Sequence, residues 1–388
     1  MTVTTTAASG AENTTPRQAQ PVRGLVRPHW PPLTDAEVAM VLGGPVRPVI
    51  LWRSPRPMSA AALVEHGSAT VFVKRHHVRV RTTAQLAAEH AFINYLRTRG
   101  QPVPAVLALT GGRSVLRRGD FCYEAHEAVA GVDLYRDAAS WTPYASLPHA
   151  RSAGAALAAM HLAAAGYTAP PRTPALLMNS WQVISAADPA AEMDRLIGQR
   201  PDLAAYLGRR RWPDDFGSCL APLIERAAPY VAALPRRWTH GDWHPSNLAW
   251  TSHQPYARVT GIFDFGLANR TSAVHDLAIA LERSVVSWFD LPRTGSAEAD
   301  LAAASALLDG YQAVRPLSAT EAVALIRILP VVHLEYALSQ VEYLAGIRHS
   351  RAKADRAYDG YLLGHARWFG QAQGLALLEY LAQHLGAA

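Results

Sequence analysis

The stretch from Trp238 to Glu282, WTHGDWHPSNLAWTSHQPYARVTGIFDFGLANRTSAVHDLAIALE, concentrates side chains that handle charge and protons. It holds His240-Gly241-Asp242, then Asn247, then Asp264-Phe265-Gly266. A carboxylate on a loop can orient a hydroxyl and take its proton. An amide oxygen with a second carboxylate can hold Mg²⁺, which prefers hard oxygen ligands. Phosphoryl transfer from a nucleotide needs these parts, because its catalysis is mostly positioning and charge neutralisation. Four residues separate Asp242 from Asn247, a spacing that fits one tight loop running into a strand. Asp264 ends the return strand of the hairpin that follows, so it comes back beside Asn247. One hairpin thus supplies base, amide ligand and carboxylate ligand.

A second element lies upstream. Lys74 ends the apolar run VFVKRHH, where alternation places Val71 and Val73 on one face and Phe72 and Lys74 on the other. A lysine ammonium is a point charge on a flexible stem, suited to the phosphates of ATP. The chain carries 37 lysines and arginines, and only Lys74 and Lys353 are lysines. A chain that otherwise writes its positive charge as arginine makes the lysine on this strand stand out. In kinase-like folds such a lysine pairs with a glutamate on the next helix, and Glu89 in LAAEHAFINYL has that placement.

HGDWHPSN, then IFDFG, then HDLAIA resembles the aminoglycoside phosphotransferase/choline kinase family. His-x-Asp-x-x-x-x-Asn followed by Asp-Phe-Gly is a general kinase signature. Here Gly241 stands where a protein kinase has arginine, and no Ala-Pro-Glu follows the Asp-Phe-Gly. The resemblance implies that Asp242 is the catalytic base, that Asn247 and Asp264 hold Mg²⁺, and that His240 braces the loop. Asp276 would fix that loop from the following helix. Lys74, with Glu89, would meet the phosphates of ATP. The loop that covers the phosphates is RSPRPMS, Arg53 to Ser59, which lacks the usual glycines, so Ser59 or Arg56 would make that contact. Adenine would lie on the linker at Glu127 to Val129, in EAVAG. The acceptor pocket would come from the helical part, with Glu282, Glu335 and Tyr336 as its residues, carboxylates there suiting an ammonium-bearing acceptor. Isolated histidines (His244, His275, His76 and His77) lack metal-ligand spacing and read as structural.

The elements that must position these groups follow from periodicity. PVILW (Pro48 to Trp52), AAALVEH and ATVFVKRH read as strands, the last two joined through a His66-Gly67-Ser68 turn. Thr82 to Arg99 reads as a helix ended by Gly100 and Pro102, and strands return at SVLRR and FCYEAHEAV. Beyond Gly131 the chain turns alanine-rich and helical, with Ser152 to Ala165 and Ser218 to Leu234 as helices. A single β island covers Asn247 to Phe265. Helices then run from Val274 to the end, one of them kinked at Pro330. This is an α+β, two-lobed, protein-kinase-like fold: a small N-terminal β-sheet lobe with one helix, and a larger, mainly helical C-terminal lobe. The expected division is a disordered tail over 1–23, a nucleotide-binding lobe over 24–129, and a catalytic and substrate-binding lobe over 130–388.

Composition narrows the remaining classes. The 388 residues are 49% hydrophobic and 18% charged, as in a globular chain of about two packed units. No apolar run reaches the ~18 residues of a membrane span, so no membrane partner is expected. A net charge of +6, scattered except at Arg209 to Arg211, argues against a nucleic-acid groove. Two distant cysteines, Cys122 and Cys219, form neither a disulfide framework nor a metal set, which places the chain in a reducing, cytoplasmic setting. The leading reading is an ATP- and Mg²⁺-dependent transfer of phosphate to a hydroxyl of a small molecule: amino sugar, aminocyclitol, amino alcohol or aminoglycoside-like compound. Two others stay open, an atypical protein serine/threonine kinase and a nucleotide-binding regulator without catalysis. Turnover with small acceptors separates them.

Overall fold

The computed structural model describes residues 28–173 and 176–387, so the tail expected over 1–23 lies outside the described residues. The N-terminal lobe is a five-stranded antiparallel sheet in the order β1-β2-β3-β5-β4. Its strands are β1 (Val49–Arg53), β2 (Ala60–His66), β3 (Ala69–His77), β4 (Leu116–Arg118) and β5 (Phe121–Glu127). β2 and β3 form the expected hairpin around Gly67, which takes the positive φ of 64° that such a turn requires. Helix α1 (Asp35–Leu42), which the sequence reading did not anticipate, begins with a capping box between Thr34 and Glu37. It seals one sheet face, where Val38 and Val41 pack with Val64, Val71, Val73 and Tyr123. Helix α2 (Thr83–Thr98), capped by Thr82, lies on the other face. There Leu86 meets Cys122, while Phe92, Ile93 and Leu96 join the core of the helical lobe.

That core is built on helices α3 (Leu147–Ala164), α4 (Pro189–Gly198), α5 (Pro201–Leu207), α6 (Trp212–Asp215) and α7 (Ala221–Val231). A second group follows: α8 (Ala273–Ser284), α9 (Leu291–Thr294), α10 (Leu301–Val314), α11 (Ala319–Ile328), α12 (Leu334–Glu342), α13 (Arg351–Arg356), α14 (Gly364–Trp368) and α15 (Ala372–Leu385). α3 and α10 cross at backbone contact, because a Cβ on Gly154 or on Gly310 would stand 1.9 Å from Leu307 O or Arg151 O respectively. The break at Pro330 is a 3₁₀ turn, Leu329–Val331, between α11 and α12, as expected of a residue without an N–H. The whole run Ala319–Ile347 is long and apolar enough to cross a membrane, yet 83% of its most apolar window is buried inside the protein. It is a core element of the helical lobe.

Four short strands carry the chemistry-bearing loops. β7 (Leu248–Trp250) and β8 (Val259–Ile262) form the expected hairpin, and β6 (Arg237–Thr239) pairs with β9 (Asn269–Thr271). The β6–β9 ladder has three residues per strand, too few for periodicity to register. The linker after β5 is tied to this region, since Val132 and Trp250 exchange both backbone hydrogen bonds, at 2.8 and 2.9 Å.

Candidate active site

The loop between β6 and β7 is held by buried hydrogen bonds. Gly241 has φ 77°, and a Cβ there would lie 2.6 Å from Leu267 O and 2.8 Å from Asn179 Nδ2, so the position admits only glycine. Asp276 on α8 accepts from the N–H groups of His240 and Gly241, both at 2.8 Å, and from His161 Nε2 at 3.0 Å. Its carboxylate is fully buried. Burial alone would raise its pKa, and the donors, His161 foremost, instead hold it below the ordinary aspartate value. Tyr311 on α10 completes the chain by donating to His161 Nδ1 at 2.9 Å. The close α3–α10 crossing therefore sets the loop through Tyr311, His161 and Asp276 in turn. His240 reaches forward as well: Nε2 donates to Phe263 O at 3.0 Å, and Nδ1 accepts the Asp242 N–H at 3.1 Å.

Asp242 projects from this loop with its carboxylate against Arg283 of α8 and 3.3 Å from His244 Nε2. Burial would lift its pKa. The Arg283 guanidinium, followed by His244, outweighs that and holds the carboxyl well below the usual range. His244, read from sequence as merely structural, thus stands at the Asp242 carboxylate. Arg283 was not anticipated at all. Asn247 donates from Nδ2 to Asp242 O at 2.9 Å, which leaves its Oδ1 as an acceptor. Phe263 N donates to Asn247 O at 3.1 Å, so the hairpin brings Asp264 alongside.

Asp264 adopts a left-handed conformation, φ 62° and ψ 64°, which aspartate tolerates better than most residues. Two buried arginines support the turn: Arg81 and Arg172 both donate to Gly266 O, at 2.8 and 3.0 Å. Asp264 Oδ1 stands 2.8 Å from Lys74 Nζ. Burial works against that ammonium, but the carboxylates of Asp264 and Glu124 raise its pKa overall. The sequence reading paired Lys74 with Glu89. Instead Glu89 faces Arg172 at 3.2 Å, because α2 delivers its carboxylate to a guanidinium that burial would otherwise leave uncompensated. Glu124, opposite Lys74 in the β3–β5 register, accepts from His76, His90 and His126 at 2.9, 2.7 and 3.1 Å.

In the β1–β2 loop, Arg56 donates to Ser140 Oγ at 2.9 Å, crossing to the helical lobe. Its charge acts on Asp133, Asp264 and Asp242. Ser59 is half-buried directly before β2. At the linker, the N–H groups of Glu127 and Ala128 donate to Ala105 O and Thr70 O, at 2.9 and 3.0 Å. The expected base-edge contact therefore cannot use those two N–H groups.

Of the acceptor residues expected from sequence, Glu282 and Tyr336 both lie beside Arg283, while Glu335 is engaged elsewhere. Glu335 accepts from Gln182 N at 3.2 Å, Val183 N at 2.8 Å and Ser180 Oγ, so it anchors the 180–183 backbone and is not presented to a ligand. That part of the expected acidic pocket is corrected. Glu282 accepts from His365 Nδ1 at 2.7 Å. Tyr336 lies against the Arg283 guanidinium, with its ring centroid 4.9 Å away. Beside the hairpin, Asn247 Oδ1 and the Asp264 carboxylate, whose Oδ1 also meets Lys74, present hard oxygens. That is a set chemically suited to Mg²⁺.

Residues 59–317 match the family model described as the phosphotransferase enzyme family. The chain belongs to that family. Among curated relatives, the homoserine kinase of Acidiphilium cryptum is 32% identical over 185 residues, 48% of this chain and 49% of its own length. The chain thus spans about half the length of the curated relatives it matches. Two solved structures share the fold. The microcompartment-associated aminopropanol kinase has a TM-score of 0.54 at 18% identity, covering 90% of this chain and 97% of that one. The aminoglycoside phosphotransferase of Alicyclobacillus acidocaldarius has a TM-score of 0.50 at 19% identity, covering 92% and 98%. The two-lobed α+β fold of the phosphotransferase family member is the one expected from its motifs.

Proposed function

We propose that this phosphotransferase moves the γ-phosphate of ATP to a hydroxyl of a small molecule. The observation that carries the reading is the convergence of Asp242, Asn247 and Asp264 on one hairpin, with Lys74 of the opposite lobe 2.8 Å from Asp264. Asp242 orients the acceptor hydroxyl and takes its proton as the oxygen attacks the γ-phosphorus. The bond from phosphorus to the bridging oxygen breaks and ADP leaves. Lys74 and Arg56 supply positive charge on the nucleotide side. Asn247 Oδ1 and the Asp264 carboxylate would hold Mg²⁺, which when bound neutralises triphosphate charge. Val129 is the linker residue whose backbone serves the base edge, and Ser59 lies at the phosphate-loop end of β2. His240 and Asp276 act only by positioning the loop that carries Asp242.

The names of relatives and structural neighbours define the acceptor panel: homoserine, aminopropanol and aminoglycosides. Two free cysteines, Cys122 buried and Cys219 half-buried, agree with a cytoplasmic setting for this reaction. The test is ADP release from ATP and Mg²⁺ across that panel. Turnover above the acceptor-free rate with at least one compound is expected. ATP binding without turnover on any of them would turn the reading toward a regulator or a protein kinase.

A further inference from the structure

Beside Lys74 lies a group of side chains that the transfer reaction does not employ. On β5, Cys122, Glu124 and His126 alternate onto one sheet face, and Leu86 against Cys122 shows that this face looks toward α2. Lys74 and His76 of β3 stand opposite Glu124 and Cys122 in the strand register. His90 closes the group from the helix side. Nε2 of His76 lies 2.9 Å from Glu124 Oε1, while Nε2 of His90 and of His126 lie 2.7 and 3.1 Å from Oε2. Three imidazoles from three elements thus aim the same ring nitrogen at one carboxylate. His90, Glu124 and His126 are buried, and one donor atom from each lies within 4.8 Å of the other two.

Charge balance does not account for this grouping. One buried carboxylate needs one cation, and Lys74 already neighbours Glu124 across the β3–β5 register. Packing does not account for it either. The apolar cluster between α2 and the sheet is small, Leu86, Val115 and Cys122 with Val78 beside them, so the histidines sit where a core would otherwise be. Imidazole nitrogens with a carboxylate oxygen are a donor set for Zn²⁺, which holds them at about 2.0–2.2 Å. Tetrahedral ligands at those lengths stand about 3.3 Å apart, so the present separations of 2.7 to 3.1 Å need to open only slightly. Ser114 Oγ, 2.9 Å from His90 Nδ1, is the kind of outer partner that fixes the ring of a metal-bound histidine. Mg²⁺, which takes hard oxygens, does not match three nitrogens.

We infer that His76, His90, His126 and Glu124 form a Zn²⁺ site that fastens α2 to β3 and β5 in the N-terminal lobe. The site is separate from the oxygens of Asn247 and Asp264, and it does not depend on the phosphotransfer reading. It holds the strand that carries Lys74 against the helix that carries Glu89. On binding, each Nε2 exchanges its contact with Glu124 for the ion. A neutral ring then keeps its proton on Nδ1, and any further proton leaves to solvent. His90 donates that Nδ1 proton to Ser114 Oγ. Glu124 binds through Oε2, the oxygen already turned to His90 and His126. The set escapes a reading of spacing, because His76 and His90 lie 48 and 34 residues from Glu124.

The test uses the full chain without a polyhistidine tag, stripped of metal with EDTA and dialysed. Zn²⁺ titrated in against a chromophoric chelator should bind at one equivalent per chain, and excess Mg²⁺ should not displace it. Co²⁺ in its place should show the intense visible bands of a four-coordinate ion. H90N and H126N should each weaken Zn²⁺ binding by roughly 100-fold or more, and S114A by roughly tenfold. H253N, at an exposed histidine outside the group, should leave the affinity unchanged. Zn²⁺ should also raise the thermal midpoint of wild type and leave that of H126N in place. Should H90N or H126N fail to fold, S114A, whose lost hydroxyl meets the far nitrogen of the His90 ring, gives the comparison. Wild type that takes up no Zn²⁺ overturns the site. So does equal affinity in wild type, S114A and the histidine variants that fold, or a Co²⁺ spectrum of octahedral type only. The four residues are then a hydrogen-bonded histidine–carboxylate cluster.

Discussion

Replacing Asp276 by alanine tests how the loop before Asn247 is held. The carboxylate is fully buried and receives three donors, two backbone N–H groups at 2.8 Å and His161 Nε2 at 3.0 Å. Each buried donor left unpaired costs about 1–3 kcal/mol. Removing the carboxylate also removes its own desolvation cost, and a water entering the space can satisfy some of the donors. The net loss expected is about 3–5 kcal/mol, the range for breaking a buried charged pair. That is a large part of the ~5–15 kcal/mol that holds a typical domain folded. Urea denaturation followed by tryptophan fluorescence measures it, because Trp238 and Trp243 flank the loop and are buried. Asp276→Asn keeps one acceptor oxygen and should lose about half as much. The pKa of Asp276 is depressed in the folded protein, so its stabilisation is present above the unfolded aspartate pKa and is lost as pH falls through the folded one. The difference between wild type and Asp276→Ala should therefore shrink on acidification. A loss under about 1 kcal/mol at neutral pH would refute the account of the loop.

Three other substitutions probe separate parts of the site. Gly241→Ala forces a Cβ to within 2.6 Å of Leu267 O at a positive φ, so a loss of about 2–4 kcal/mol and near-complete loss of turnover are expected. Wild-type stability in that variant would contradict the loop geometry. Lys74→Ala removes the ammonium at Asp264 and should raise KM for ATP by tenfold or more, about 1.4 kcal/mol, in initial-rate kinetics. Unchanged ATP kinetics would remove Lys74 from the nucleotide site. Arg283 holds Asp242 ionised far into acid, so no acid limb from this base should appear in kcat/KM down to about pH 5. In Arg283→Gln the limb should move upward, toward the ordinary aspartate range, and a pH–rate profile that stays fixed would contradict the pairing.

Much of the site was legible because its parts are close in sequence or in one hairpin. HGDWHPSN and IFDFG are contiguous, and Asp276 sits one helical turn into the element that follows them. The sheet lobe was legible for the same reason, since its strands alternate and its hairpin turns on Gly67. The supporting arginines were not. Arg81 meets Gly266 O across 185 residues, Arg172 meets it across 94, and Arg283 meets Asp242 across 41, distances over which spacing carries no signal. In a chain whose cations are nearly all arginine, residue type singled out none of them. Glu89 had the right helix and the right spacing for Lys74, yet a buried arginine from the α3–α4 connection competes for it. Glu335 looked like a ligand on a helical face, and only tertiary contact shows that its carboxylate serves backbone N–H groups. Helix α1 is not legible in the sequence because eight residues carry too short a period to stand out from a proline-rich segment.

Asp242→Asn decides whether Asp242 takes the acceptor's proton on a hairpin otherwise built to hold the nucleotide. Asparagine keeps the shape of the side chain and removes its basicity. ATP binding by calorimetry should remain close to wild type, while acceptor-dependent ADP release falls by 10² or more, the scale of general-base catalysis. Wild-type turnover in Asp242→Asn, with any acceptor, would contradict the account.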